Sequence, residues 1–182
     1  MAMGGVVDRY RRCLGNGAGP PAGVVSVADA WACTNPSLGR GIALGLLHTA
    51  LLRRLVREHT DHPGALAEAW DAATEQELTP WYRATVAVDR ARLAEIDAIR
   101  SGAEPPAPRP DDVGAQVRAA LPVAMSRDAD AFRAGMEIAG CLALPQEVFA
   151  RPGLAERVLE AAGGEVASLP GPTRTQVLEL VA

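Results

Sequence analysis

A mainly helical chain with one short β segment near its N-terminus is the fold class this sequence predicts. Three observations carry the prediction. Apolar residues make up 48 % of the 182, but aromatics only 4 %, so the core is built chiefly from Ala, Leu and Val, a balance that favours packed helices. From Pro63 onward nearly every segment reads as helix. The one contrary signal is a four-residue, β-branched run, Val24-Val25-Ser26-Val27, whose length and content read as a buried strand.

Val6 to Leu14 mixes apolar and basic residues, and Gly15-Asn16-Gly17-Ala18-Gly19-Pro20-Pro21 is a dense turn signal that ends any element before it. The strand Val24–Val27 follows. Pro36, Gly39 and Gly41 break the chain again, after which Ile42 to Arg57 has no proline and places Leu44, Leu47, Leu51 and Leu55 on one helical face. Arg53, Arg54 and Arg57 gather toward its last turns, where cations suit the helix dipole. Gly64 to Glu77 is Ala- and Glu-rich. Thr79-Pro80 joins a capping hydroxyl to a proline suited to a first helical turn, so a helix starts there and runs to about Ile99. Ser101 to Pro110 is a linker with four prolines between Glu104 and Pro110. Val113–Met125 and Asp128–Leu144 are two further helices. Leu154–Ala162 is a third, ended by Gly163-Gly164, and Thr173–Val181 is a last short one.

A chain of this length holds one domain with a real core, or one domain plus loosely attached helices. A net charge of −4 from mixed acidic and basic residues gives no broad positive field, which argues against nucleic acid as a partner. Cys13, Cys33 and Cys141 are odd in number and far apart, so neither a disulfide framework nor a CxxC zinc site can be drawn. Residues Met1 to Arg12 put charges where a signal peptide needs its apolar stretch. The most apolar window, Gly41 to Leu52, falls short of the ~20 residues that span a bilayer. A cytoplasmic protein with no membrane partner is expected.

The residues that carry chemistry follow the predicted strand. Asp29 is a carboxylate just past a buried strand, an acceptor aimed at whatever fills the adjoining crevice, and sugar or polyol hydroxyls are natural donors to it. Pro36-Ser37-Leu38-Gly39-Arg40-Gly41 leads straight into a helix whose first amides have no internal partner. Those amides and the positive dipole end suit an anion or a polarised carbonyl, and the glycines let it approach the backbone.

On these residues, Val27-Ala28-Asp29-Ala30-Trp31-Ala32-Cys33-Thr34-Asn35-Pro36-Ser37-Leu38-Gly39-Arg40-Gly41 resembles a motif of flavoprotein monooxygenases and their relatives. Those proteins carry Gly-Asp after a strand, then a proline-glycine turn and a helix. The version here is similar to that of a group of actinobacterial-type FAD-dependent oxidoreductases. The likeness continues, more weakly, through Trp81-Tyr82-Arg83 and Ala139-Gly140-Cys141-Leu142-Ala143-Leu144-Pro145, and so covers most of the chain.

The resemblance implies the C-terminal portion of an FAD-dependent oxidoreductase, equivalent to a partial FAD/NAD(P)-binding α/β fold. Residues 1–60 would be a partial FAD-binding segment and 61–182 a C-terminal helical region. Asp29 would accept a hydrogen bond from a ribityl hydroxyl. Pro36, Leu38, Gly39, Arg40 and Gly41 would face the flavin, with the backbone from Leu38 to Gly41 at its pyrimidine edge and the helix dipole stabilising the reduced ring. FAD would carry electrons from NAD(P)H or from a small-molecule substrate. No catalytic residue is assigned.

Two departures matter. The glycine that precedes the aspartate in that family is Ala28 here. A strand with GxGxxG and an acidic residue about 20 positions on, which hold the adenosine half, are not found; Gly15 to Gly19 has the wrong spacing and Pro20 where a helix should start. Activity of the isolated chain is therefore not expected. The site is completed by a second polypeptide or by self-association, or the chain is a truncated product or a non-catalytic helical interaction module that keeps the motif as architecture.

Other candidates have bland readings beside the sharp ones. Arg40 meets a phosphate or substrate carboxylate, or points to solvent. Cys33 reads as a small buried hydrophobe sooner than a redox group, and His48, set among leucines, as a core residue and not a base. His59 and His62 lack a third metal ligand. Trp31, Trp70, Trp81 and Tyr82 border a substrate pocket or pack between helices.

Overall fold

The computed structural model describes residues 8–12, 23–104, 106–165 and 174–181, leaving aside the side chains of Arg174 and Val181. It is mainly helical, with one short antiparallel sheet near the N-terminus. Strand β1 is Arg9–Tyr10 and β2 is Ala32–Cys33, with Arg9 opposite Cys33 and Tyr10 opposite Ala32. Eight helices follow among the described residues: α1 Gly41–Glu58, α2 Pro63–Glu77, α3 Thr79–Ser101, α4 Val113–Ala124, α5 Ala129–Ala139, α6 Pro145–Phe149, α7 Leu154–Ala162 and α8 Arg174–Val181.

The predicted strand Val24–Val27 is a correction. Among the described residues the run joins no sheet; Val27 is extended, and Val24 is 58 % exposed. Among the described residues the one ladder joins Ala32-Cys33 to Arg9-Tyr10. β-propensity yields to context in this way. Val25 and Val27 still pack on the core as half-buried side chains.

The helix starts agree with local chemistry, except that Thr79, expected as a capping hydroxyl, is the first residue of α3 and no side chain caps that helix; its hydroxyl bonds back to Glu75 at 3.2 Å. Pro63 and Pro80 sit in the first turns of α2 and α3. Asp112 caps α4 by accepting from the Ala115 amide at 2.8 Å, and Asp128 Oδ1 accepts from the Asp130 and Ala131 amides, each at 2.9 Å, before α5. Gly102 and Gly163 end α3 and α7 in the left-handed conformation.

Two helical expectations change. The segment expected as one helix from Asp128 to Leu144 stops at Ala139. Cys141 turns left-handed (φ 56°) and the Leu142 amide bonds back to the Glu137 carbonyl at 2.9 Å, closing the helix end. Pro145 then opens α6, whose Glu147 carboxylate accepts from the Leu144 amide at 2.9 Å. On α1, the buried line is Leu44, His48, Leu51 and Leu55, while Leu47 is 40 % exposed. At about 100° per residue His48 lies closer to the Leu44–Leu51–Leu55 line than Leu47 does.

The chain forms two compact units, Met1–Ala107 with Met136–Val148, and Pro108–Gly135 with Phe149–Ala182; one boundary falls in the proline linker. In the first unit α1 packs on α2 and on the Ala28–Ala30 turn, and α2 packs on α3. Its core joins Trp31, Leu44, Leu51, Leu55, Trp70, Leu78, Trp81 and Cys141. The tryptophans are thus packing residues. β1 is tied to α2 by the Tyr10 hydroxyl bonded to the Glu75 carboxylate and by an Arg12–Asp71 ion pair. In the second unit α4 packs on α7, burying Val117, Ala120 and Ala124 on one helix and Leu154, Val158 and Ala162 on the other. Arg127 donates to the Ala162 carbonyl at 3.1 Å, at the end of α7.

Candidate functional site

The site is built where the chain turns twice before α1. Val27 is extended, and Ala28 then enters the left-handed region at φ 51°, a conformation costly for a residue with a Cβ. The short turn Ala28–Ala30 closes with the Ala30 amide on the Val27 carbonyl at 3.1 Å and the Trp31 amide on the Ala28 carbonyl at 2.9 Å. Asp29 projects from this turn and is exposed, while Trp31 is buried beneath.

The second turn is Pro36–Leu38. Asn35 caps it, accepting from the Ser37 amide at 3.0 Å, and Gly39 ends it left-handed at φ 66° with its amide on the Pro36 carbonyl at 2.9 Å. Glycine suits that position because no Cβ opposes the conformation. The Arg40 carbonyl accepts from the Leu44 amide at 3.0 Å, so α1 begins at Gly41. The amides of Gly41, Ile42 and Ala43 precede the first helical bond and have no partner within the helix, and no side chain caps it.

The first turn and the start of α1 meet at one hollow. Asp29, Thr34, Gly41, Gly45, Trp31 and Tyr82 line it. Its volume of about 10 Å³ is room for one water, so a larger ligand lies across its mouth, not within it. Beyond its chain neighbours and its own helix backbone, no atom stands within 4 Å of where a Cβ on Gly41 would be, which leaves the exposed helix end open. A carboxylate and a bare helix amino end at one opening suit a polyol chain joined to an electron-rich group. For flavin, the residues fit the ribityl chain and one edge of the ring, but not enclosure of the ring.

Of the residues singled out from the sequence, Asp29, Gly41, Trp31 and Tyr82 come together here. Pro36 and Gly39 are exposed and Leu38 half-buried in the turn that precedes α1; they shape the approach and are not among the hollow's lining. Arg40 takes neither direction expected of it. Its guanidinium lies 5.9 Å over the Trp81 ring, with Nη1 3.4 Å from Thr85 Oγ1, and only 9 % of the residue is exposed. It pins the helix start to α3 by stacking on an aromatic face.

Beneath the second turn, Asn35 donates from its side chain to Asp89 Oδ1 at 3.3 Å, and its amide donates to Asp8 at 3.1 Å. Burial, then the charge of Asp8, holds the Asp89 carboxyl above its ordinary range. Asp89 Oδ2 and Arg40 Nε are both buried without a hydrogen-bond partner. Thr85 and Asp89 were not foreseen, although Trp81, Thr85 and Asp89 follow one another at four-residue spacing on one face of α3, the signal that could have found them.

Beneath the first turn lies His48, fully buried. Nδ1 accepts from the Ala28 amide at 3.1 Å, and Nε2 is 3.1 Å from Thr74 Oγ1. The ring stacks on Trp70 (centroids 4.2 Å apart, planes at 8°) and meets Trp31 edge-on at 5.0 Å. Burial pushes its pKa down to about 4, so it is neutral at pH 7, as an Nδ1 acceptor requires.

The cysteines and remaining histidines stand apart from this arrangement. Cys33 is half-buried in β2; Cys141 is buried, and burial pushes its thiol up. Cys13 and the Gly15–Pro21 turn lie outside the described residues. Among the described residues no group of three or more His, Cys, Asp or Glu could hold a metal ion, and no helix is long and apolar enough to cross a membrane. Compared with protein-family models, curated proteins and solved structures, the chain matches none.

Proposed function

We propose that this chain is the C-terminal portion of a cytoplasmic FAD-dependent oxidoreductase and contributes the ribityl and isoalloxazine side of the flavin site. The observation that carries the proposal is the shared opening of the exposed Asp29 carboxylate and the uncapped amino end of α1 at Gly41, with Gly45 in the same lining. Ala28 supports it further. Its left-handed backbone is the conformation a glycine adopts freely, and glycine is what the resembled Gly-Asp motif has there.

In this reading Asp29 accepts a ribityl hydroxyl, and the first amides of α1 face the pyrimidine edge, where the positive helix end favours negative charge. Bound flavin supplies the electron transfer, with NAD(P)H or a small-molecule substrate as donor. The adenosine half of the cofactor is held by a dinucleotide-binding segment from a second polypeptide or from further sequence of the same protein.

Fluorescence titration tests this directly. FMN carries the ribityl chain and ring without the adenosine half, so the purified chain titrated into FMN should quench its emission saturably. Asp29→Ala should weaken binding about tenfold, the effect of losing a hydrogen bond to a charged acceptor worth about 1.5 kcal/mol. If neither FMN nor FAD is quenched saturably by the unmodified chain, the proposal fails.

A further inference from the structure

We infer that His48 is a positioning residue for the Asp29 turn, holding Ala28 in its left-handed conformation from beneath through the hydrogen bond from the Ala28 amide to Nδ1. Three features of the structure require such a device. Ala28 carries a Cβ and yet has φ 51°, a backbone state that persists only where its surroundings enforce it. The amide that would otherwise be stranded against the core meets an imidazole nitrogen at 3.1 Å. The imidazole is itself fixed, by Thr74 Oγ1 at 3.1 Å on its far nitrogen, by the Trp70 ring stacked at 4.2 Å, and by the edge of Trp31.

The order of constraint follows. Helices α1 and α2 set the ring, the ring sets the Ala28 amide, and Asp29, one residue on, is presented at the mouth of the hollow beside Gly41 and Gly45. Only one tautomer serves. Nδ1 must be the bare acceptor, so Nε2 carries the proton and donates it to Thr74. What Asp29 is presented to rests on the flavin reading above; the clamp itself does not.

The experiment therefore reads the clamp and the ligand separately. Nitrogen NMR of the histidine rings in the unmodified chain at neutral pH should show His48 as the Nε2–H tautomer, and an Nδ1–H tautomer would overturn the inference whatever any variant does. Amide hydrogen exchange should then find Ala28 protected in the unmodified chain. In His48→Phe, which keeps ring volume but has no acceptor, Ala28 protection should fall at least tenfold while the amides of α2 and α3 keep theirs. The second variant, His48→Phe with Ala28→Gly, should recover FMN quenching lost in His48→Phe alone, because glycine holds the left-handed state unaided. Unchanged Ala28 protection in His48→Phe, or no recovery by glycine in a chain whose parent binds FMN, would overturn the inference. Loss of Ala28 protection in a chain whose parent never quenches flavin would uphold the clamp and sink the flavin reading alone.

Discussion

His48 shows how one side chain carries both folding and placement. A base whose folded pKa lies near 4, against 6.5 in the unfolded chain, is protonated by the unfolded chain first as the pH falls. Stability is therefore fully present above about pH 6.5 and is lost across the window down to about pH 4, by about 3 kcal/mol for this group alone. The groups that meet the ring, Thr74, Trp70, Trp31 and the Ala28 amide, carry no charge that would shift this window. Urea unfolding followed at pH 7 and pH 4.5 should show the loss, and His48→Phe should remove that part of the slope; an unchanged slope would contradict the assignment. At Ala28 the opposite change is favourable. Ala28→Gly relieves a left-handed alanine and should raise stability by about 1 kcal/mol, measurable as a higher urea midpoint.

Helix α1 sets stability against function at Gly45. An alanine there gains helix propensity of about 1 kcal/mol, and its Cβ would sit 3.5 Å from that of Ala28, an ordinary contact. The same methyl enters the lining of the hollow. Gly45→Ala should therefore unfold at higher urea than the unmodified chain yet quench FMN less; equal quenching would place the ligand elsewhere. Helix α3 has the complementary role. Asp89 accepts from the Asn35 side chain at the second turn, and Arg40 bridges to Trp81 and Thr85 by stacking and a hydroxyl contact. Arg40→Ala removes that buried stem and should cost about 1 to 3 kcal/mol in chemical denaturation, with a loss below 0.5 kcal/mol counting against the bridge.

Across the whole molecule, the proline linker is a boundary in sequence but does not delimit the first unit, because Met136–Val148 belongs with it. Cys141 lies in its core and Leu144 packs on that core. A chain ended at Ala107 should thus be less stable than the full chain by about 3 kcal/mol, from two apolar side chains withdrawn. All three tryptophans lie in this core, so their fluorescence reports the unit directly, and an unchanged midpoint would show that the returning segment contributes nothing.

Sequence alone determined most of the helices of this protein, though not the break after Ala139 or the short α6. Prolines, caps and glycines act on their own neighbours, so the starts of α2, α3 and α4, the end of α7, and the turn into α1 were legible without knowing what they touch. Asp29 and Gly41, which line one hollow, were singled out in the same way. Tertiary structure decided everything that depends on a distant partner. Which extended run pairs, Ala32-Cys33 and not Val24–Val27, depends on where β1 lies. Leu47 gave way to His48 because α2 supplied Thr74 and Trp70 to satisfy an imidazole that leucines could not. Arg40 turned inward because Trp81, 41 positions later in the chain, offered it a face. A buried polar group is tolerable only beside its partners, and a sequence does not say which residues become neighbours until the chain has folded.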